Sequence, residues 1–395
     1  MRNKRRKQRK IKKIALWLIT ILILSCVGFT GYLLFNNKPS EPAKEKYHDN
    51  KVKEEWPKEY SLSMIMTGDA LIHDSVYKDA MNSDGTFNFE KQIELIKPIV
   101  EKYDLAYYNG ETVIGGKELG YSSYPMFNTP EAFADTMVNA GFNMVSLATN
   151  HTMDKGEKGI LNSHKYWNEK DVLTAGSYIS EEDRTTPNIK EKNNITYTMI
   201  SYTMLNNGLN NPSGKEFYNV MYSDEKAKAD IERVRDKVDV LIVTLHWGVE
   251  YSMTPSARQK EIAQYLADLN VDIVIGTHPH VLQPIEFIND TIVYYSLGNF
   301  ISAQEGSNKL TGVLASLKIT KTINKDGTFH IKLSDFNNEL IYTSYKKTSS
   351  KWYDFKVIPY TTLNDSILTN YKSVYEDNVK VLRQIDDSVV VMSIE

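Results

Sequence analysis

Cysteine is nearly absent from this chain: Cys26 is the only one in 395 residues, and it lies inside an apolar run. Whatever folds beyond that run has no disulfide and no thiolate ligand, so its stability must come from its core and any metal must be held by oxygen and nitrogen donors. Acid is absent from the first thirteen residues, which carry nine Lys or Arg (Arg2, Lys4, Arg5, Arg6, Lys7, Arg9, Lys10, Lys12, Lys13). Charge of either sign is absent from Ile14 to Phe35. No repeat of solenoid period is visible, which excludes a repeat architecture.

Those gaps frame what is present. At ~1.5 Å per residue the uncharged run reaches roughly 33 Å as a helix, about the hydrocarbon thickness of a bilayer. A basic flank joined directly to such a run sets orientation rather than binding nucleic acid. It predicts a signal anchor at 14–35 with residues 1–13 in the cytoplasm and everything after Asn36 outside. A cleaved signal peptide fits less well, because the run is long and no A-x-A site follows. Cys26 follows Ile23-Leu24-Ser25, a loose likeness to a lipoprotein cleavage box, but the apolar run continues past it. The formal charge of −3 becomes −12 once the nine N-terminal cations are set aside, and an acidic remainder speaks against a nucleic-acid partner. With 41% hydrophobic and 25% charged residues the composition is that of a globular protein, which excludes global disorder.

Residues 36–59, with Pro39, Pro42 and Pro57 among Lys, Glu and Asn, read as a stalk in which His48 is solvated. From Leu62 onward, short apolar runs alternate with helical periodicity, the pattern of a layered α/β domain. Leu62–Met66 reads as a strand ending at Gly68-Asp69. Ile93, Ile96, Val100 and Tyr103 recur at helical spacing before a strand near 105–108, and Thr129-Pro130 opens a helix that Gly141 closes. From about 312 to 361 the pattern alternates around a Lys325-Asp326-Gly327 turn, predicting an antiparallel β addition, and a helix follows near 366–385.

The eight histidines are unevenly informative. His330 sits at an alternating strand position and His164 in a helix with Leu161 and Trp167, so both read as structural. Four of the others, His151, His246, His278 and His280, fall just after apolar runs, where open α/β sheets place their ligands. Met144–Leu147 leads to Asn150-His151, Val240–Val243 leads to His246, and Val271–Ile275 leads to His278 and His280. Taken singly, Asn150-His151 reads equally well as a polar loop pair, and His246 beside Trp247 as a packed core histidine. His278-Pro279-His280 holds two imidazoles at a fixed bend, which metal ligation explains better than packing does. Carboxylates, an amide and neutral imidazoles together suit one or two divalent ions, Mn, Fe or Zn, with Glu111 the candidate bridge.

The ordered motifs are Gly68-Asp69, Asn109-Gly110-Glu111, Asn150-His151-Thr152-Met153-Asp154-Lys155-Gly156 and His246-Trp247-Gly248-Val249-Glu250-Tyr251. They continue with His278-Pro279-His280-Val281-Leu282-Gln283-Pro284 and Tyr295-Ser296-Leu297-Gly298-Asn299-Phe300. Over residues 62–303 this series resembles the CapA family of bacterial capsule and poly-γ-glutamate synthesis proteins, itself similar to the calcineurin-like metallophosphoesterases. The resemblance implies an α/β fold with a layered αββα core at 60–305, and the alternating pattern beyond it places a C-terminal β addition and helix on the same domain at 306–395. It implies metal ligands at Asp69, Glu111, Asn150, His246, His278 and His280, an acid near the leaving group at His151, and contacts to the ligands or to substrate at Glu250, Asn299 and Trp247. His73, four residues after Asp69 where the phosphoesterase pattern spaces them by two, is a further candidate ligand. Thr149 and Thr277 stand where Asn and His are common.

Three functions follow as expectations. The first is a metal-dependent envelope hydrolase acting on a phosphoester or γ-glutamyl linkage. The second is a component that handles an anionic envelope polymer alongside other membrane capsule-synthesis proteins, anchored in the lipid bilayer by its N-terminal helix. The third is a non-catalytic interaction module on the same fold.

Overall fold

The computed structural model describes residues 2–36 and 55–394 and divides into two units after Glu55. In the first unit a helix runs Arg2–Asn36, and its segment Lys10–Gly28 is long and apolar enough to cross a membrane. Leu16, Trp17 and Leu22 are exposed on it, an arrangement that water alone disfavours. Most of the expected stalk, residues 37–54 with His48, lies outside the described residues.

The second unit holds two sheets. Strands β1 (Lys58–Ala70), β2 (Leu105–Asn109), β3 (Met144–Ser146) and β4 (Leu173–Ala175) lie side by side in parallel. The chain then builds a second sheet from β5 (Lys190–Lys192), β6 (Ile195–Thr203), β7 (Val240–His246), β8 (Ile273–Thr277), β9 (Ile285–Ile288) and β10 (Thr291–Tyr294), in the order β5-β6-β7-β8-β10-β9. It returns to the first sheet with β11 (Asn299–Ile301), parallel to β1, and with β12 (Thr311–Ile323), β13 (Phe329–Lys347) and β14 (Trp352–Pro359). The last three form an antiparallel run that pairs with β1 through β12.

Side-chain alternation turns these sheets into four layers. Met64 and Met66 of β1, Tyr107 of β2, Met199 of β6, Ile242 of β7 and Ile275 of β8 share one core between the sheets. Their neighbours Ile65, Tyr108 and Val145 face outward and pack on Phe133, Ala134 and Met137 of the helix Glu131–Asn139. On the far side Leu241, Val243 and Val274 pack on the helices Asp224–Val234 and Ala257–Asp268. The order is α, β, β, α. The inter-sheet core continues over β13 and β14 to Leu382 on the helix Tyr371–Leu382.

Three local expectations shift. β1 begins at Lys58, inside the segment read as stalk, because its first residues already pair with β12, Lys58 opposite Ile323. The helical spacing at 93–103 yields only the single turn Lys97–Val100; Pro98 stands in its first turn, and its missing N–H keeps the ladder from extending back toward Ile93. The C-terminal helix is shorter than 366–385, since Asn370 takes φ +60° and the helix starts only at Tyr371.

Two contacts bring the strand ends close enough to build a site. The helix Ala257–Asp268 starts with a reciprocal cap between Ser256 and Gln259, and Gln259 Nε2 also donates to Gln283 Oε1 at 2.8 Å. Gln283 in turn donates to Ser252 O at 2.8 Å, which ties the loop after β8 to the loop after β7. Next to them, Asp69 N–H donates to Gly298 O at 2.9 Å, and a Cβ on Gly68 would collide with that same carbonyl. Gly276 is enclosed in the same way by Tyr295 O and Trp247 Nε1.

Gly68→Ala is therefore expected to cost about 3 kcal/mol, the scale of overpacking in a close-packed interior. Chemical denaturation of the purified protein measures this. A curve that superimposes on the wild type would show that β1 and the Gly298 carbonyl can part freely.

Candidate metal centre

These chemistry-bearing residues sit at, or just after, the C-terminal end of a strand: Asp69 on β1, Asn109 on β2 and Glu111 after it, Asn150 and His151 after β3, His246 on β7, and His278 and His280 after β8. Parallel strands shed their side-chain pattern at that end, and two sheets packed face to face bring the two sets of ends together. The turn after β8 takes a strained form, with His278 at φ +94° and His280 at φ +58°. Left-handed backbone at a non-glycine residue costs of order 1–3 kcal/mol and persists where its surroundings impose it. Here it aims two imidazoles into one space.

Asp69 is fully buried and divides its oxygens. Oδ1 accepts Asn109 Nδ2 at 2.7 Å, and Oδ2 accepts His278 N–H at 3.1 Å and lies 3.3 Å from His280 Nδ1. His280 Nδ1–H donates to Asn299 Oδ1 at 3.0 Å, which leaves Nε2 facing Glu111 Oε1 at 3.5 Å. From the other side His246 Nε2 lies 2.9 Å from Asn150 Oδ1 and 3.7 Å from Glu111 Oε1, while its Nδ1 lies 3.1 Å from Thr277 Oγ1. Glu111 thus stands between two imidazoles. It is fully buried, and neither of its oxygens has a hydrogen-bond partner. The buried Nδ1 of His278 is also unpartnered.

Orphaned acceptors of this kind are rare in folded proteins and costly unless a cation meets them. The donor set fits one. Within 4.8 Å of one another lie donor atoms of Asp69, Glu111 and His280, of Glu111, His246 and His278, and of Glu250, His278 and His280. Glu111 is common to two of these groups, so one or two divalent ions fit the set, and imidazole with carboxylate is a transition-metal rather than a calcium combination.

Protonation follows from the same burial. Desolvation raises Glu111 well above the usual carboxylate range, with Asp69 and Glu250 adding to the effect against His280. Burial lowers His278 to about 4 and His246 well below the ordinary imidazole value, so both are neutral and ready to ligate. Burial opposes the charge on His280 too, but Glu111, Asp69 and Asn299 outweigh it and hold the imidazolium up to about 9.

The residues singled out in the sequence do not all converge. Asp69, Glu111, His246, His278 and His280 form the centre, Asn150 reaches it through His246, and Glu250 approaches it from the solvent side. Asn299 acts behind it, orienting His280. His151 stands apart from the donor groups: its Nδ1 lies 2.8 Å from Asp154 Oδ2, and its ring packs edge-on to Phe127 at 4.7 Å. His73 is outside those groups as well, its Nδ1 turned to backbone, 3.2 Å from Ala303 N and 3.1 Å from Leu71 O. Trp247 is no substrate contact. It is fully buried, donates Nε1–H to Tyr295 O at 2.9 Å and stacks on that ring, because strand alternation turns it away from the face His246 occupies.

Two residues gain roles that sequence reasoning did not assign. Asn109 holds Asp69 with one end of its amide and accepts Ser146 Oγ–H at 2.5 Å with the other. Asp154, which also accepts Phe127 N–H at 2.6 Å, orients His151. Both lay in plain view in the Asn-x-Glu and Asn-His-x-x-Asp spacings.

A family model described as "Bacterial capsule synthesis protein PGA_cap" matches residues 63–304. The chain is similar to the "PGA biosynthesis protein CapA" of Bacillus subtilis (strain 168), 30% identical over 218 residues that make up 53% of this chain and 55% of that one. It is also similar to the "Capsule biosynthesis protein CapA" of Bacillus anthracis, 27% identical over 251 residues, 62% of this chain and 60% of that one. The match spans a little over half the length of these curated relatives. Among solved structures, a hypothetical protein from Thermus thermophilus aligns with a TM-score of 0.40 at 13% identity, covering 69% of this chain and 98% of that one.

A cation entering the centre must displace the proton that the buried pair Glu111 and His280 holds, because an ionised Glu111 keeps His280 protonated and burial otherwise keeps the proton on Glu111. Mn²⁺ binding at pH 7 is therefore expected to release about one proton per chain, with apparent affinity rising as the pH climbs toward 9. Calorimetric titration in buffers of different ionisation enthalpy reads both. An affinity flat from pH 6 to 9 would count against these ligands.

Proposed function

The chain belongs to the bacterial capsule synthesis protein PGA_cap family, and from that membership we propose that it is a membrane-anchored component of capsule biosynthesis whose metal centre handles an anionic envelope polymer, poly-γ-glutamate or a related capsule precursor. The helix Arg2–Asn36 anchors it, with the basic N-terminus in the cytoplasm and the domain outside. Other membrane capsule-synthesis proteins are its working partners.

The observation that carries the reading is the Glu111 carboxylate, buried and unpaired among His246, His278 and His280. Mn, Fe or Zn ions held there supply Lewis acidity and a nucleophile at neutral pH. The protein's own residues set the rest. Asn109 and Asn299 fix the orientation of Asp69 and His280, so the acceptor atoms are in place before a ligand arrives. An anionic chain approaching three carboxylates, Asp69, Glu111 and Glu250, is repelled unless cations offset them, which makes polymer contact metal-dependent.

A second reading, an active hydrolase of phosphoester or γ-glutamyl linkages, is favoured by one pair of residues. Asp154 Oδ2 accepts Nδ1–H of His151, so the nitrogen left to pass a proton is Nε2, which has no hydrogen-bond partner among the described residues. That is the arrangement a general acid at a leaving group needs.

The full chain in detergent, loaded with Mn²⁺ and offered a phosphodiester and poly-γ-glutamate, separates the two. In a hydrolase, His151→Ala keeps its metal and loses about 10²- to 10⁴-fold in turnover. In a polymer handler, binding persists in that variant and neither protein turns over substrate. A wild type that holds neither metal nor polymer sinks the proposal. Protease added to intact cells is expected to remove the domain and spare the anchor; a domain that survives on intact cells but is cut after lysis would reverse the orientation.

A further inference from the structure

Outside the ligand set, the mouth of the centre carries a lysine without a carboxylate. Lys309 lies on the helical turn Ser307–Leu310, half-buried, and its carbonyl accepts Asn299 Nδ2–H at 2.7 Å, from the same amide whose oxygen orients His280. Its ammonium lies 4.7 Å from the centroid of the Tyr251 ring, and that ring lies 6.2 Å from the ring of His280. Among the described residues Lys309 forms no ion pair, whereas nearby Lys347 is paired with Glu305 at 2.9 Å. Tyr251 is held in place by its backbone, at φ +65° with its N–H donating to Pro279 O at 2.7 Å. Around it the surface is open, with the Glu250 carboxylate exposed beside it: Tyr251 is 49% exposed, Val249 60% and Tyr124 76%.

We propose that Lys309, seated on Tyr251, is an anion-recognition element that takes one carboxylate or phosphate of a polyanionic chain while a neighbouring unit of that chain occupies the metal centre. This inference rests on the polymer-handling reading of the same site and names what selects the polymer. Three carboxylates surround the centre, so an unpaired cation next to them is the feature that distinguishes a chain with repeated negative charge from a single small anion. The Tyr251 face keeps the ammonium at a fixed position without neutralising it. The exposed rings of Tyr251 and Tyr124 offer surface to the aliphatic stems between charges.

The test uses the Mn²⁺-loaded full chain in detergent at low salt, titrated with poly-γ-glutamate, with poly(glycerol phosphate) and with free glutamate. Lys309→Gln is expected to weaken binding of the preferred polymer about tenfold, Lys309→Arg to stay within about threefold of wild type, and the salt dependence to flatten in the glutamine variant. Metal content and the affinity for free glutamate are expected to hold in both. Which polymer shows the loss identifies carboxylate or phosphate as the group recognised. A Lys309→Gln protein with full metal content that binds both polymers as tightly as wild type overturns this inference alone. A lowered metal content in that variant also overturns it, since Lys309 would then act through Asn299. A wild type that binds neither polymer overturns it together with the reading on which it rests.

Discussion

The carboxylate of Glu111 is the constraint around which the second unit is organised. Moving an isolated carboxylate ion into an apolar interior costs roughly tens of kcal/mol by Born solvation, so in practice it keeps a proton or meets a cation. Here the fold removes every hydrogen-bond donor from both oxygens while placing three imidazoles around them. A packing accident would be relieved by one serine or one backbone N–H. The amides Asn109, Asn150 and Asn299 are directed instead to the neighbours, Asp69, His246 and His280. The polar inventory of the interior is arranged to orient ligands and to leave the central one unsatisfied.

That arrangement needs close backbone approach, and the core supplies the stability for it. The inter-sheet layer brings the ends of β1, β2, β7 and β8 together without any disulfide, and the left-handed residues at His278 and His280 are tolerated because Gln283, Gln259 and Ser252 tie the surrounding loops down. The C-terminal strands serve the same end. β12 seals the edge of β1 from Lys58 to Met66, and Gly312 lets it pass against the Asn299 backbone.

Much of this was legible in the sequence because each ligand follows an apolar run, and a run that ends in a polar residue marks a strand end. The layered α/β order and the antiparallel C-terminal region were readable for the same reason. Direction was not. Adjacent residues in one motif point to opposite faces of a strand, so Trp247 shared its motif with His246 yet belongs to the helix-facing core. Spacing also misleads where the backbone cannot follow it, as at Pro98, where helical periodicity marks a single turn. Contacts set by long-range register, such as Lys309 beside Tyr251, leave no trace in local pattern.

The position of β1 has a mechanical meaning as well. It is the first strand after the N-terminal unit and lies between β12 and β2, with Lys58 to Met66 matched residue by residue to Ile323 through Ala315. Tension entering at Lys58 runs along the strand axis, so it loads these hydrogen bonds together in shear rather than peeling them one after another. Rupture under such a load is governed by the barrier to unfolding, not by equilibrium stability. Asp69 lies at the opposite end of the strand, behind the whole of that zipper, so a pull on the chain from its N-terminal side is borne by the sheet before it can reach a ligand.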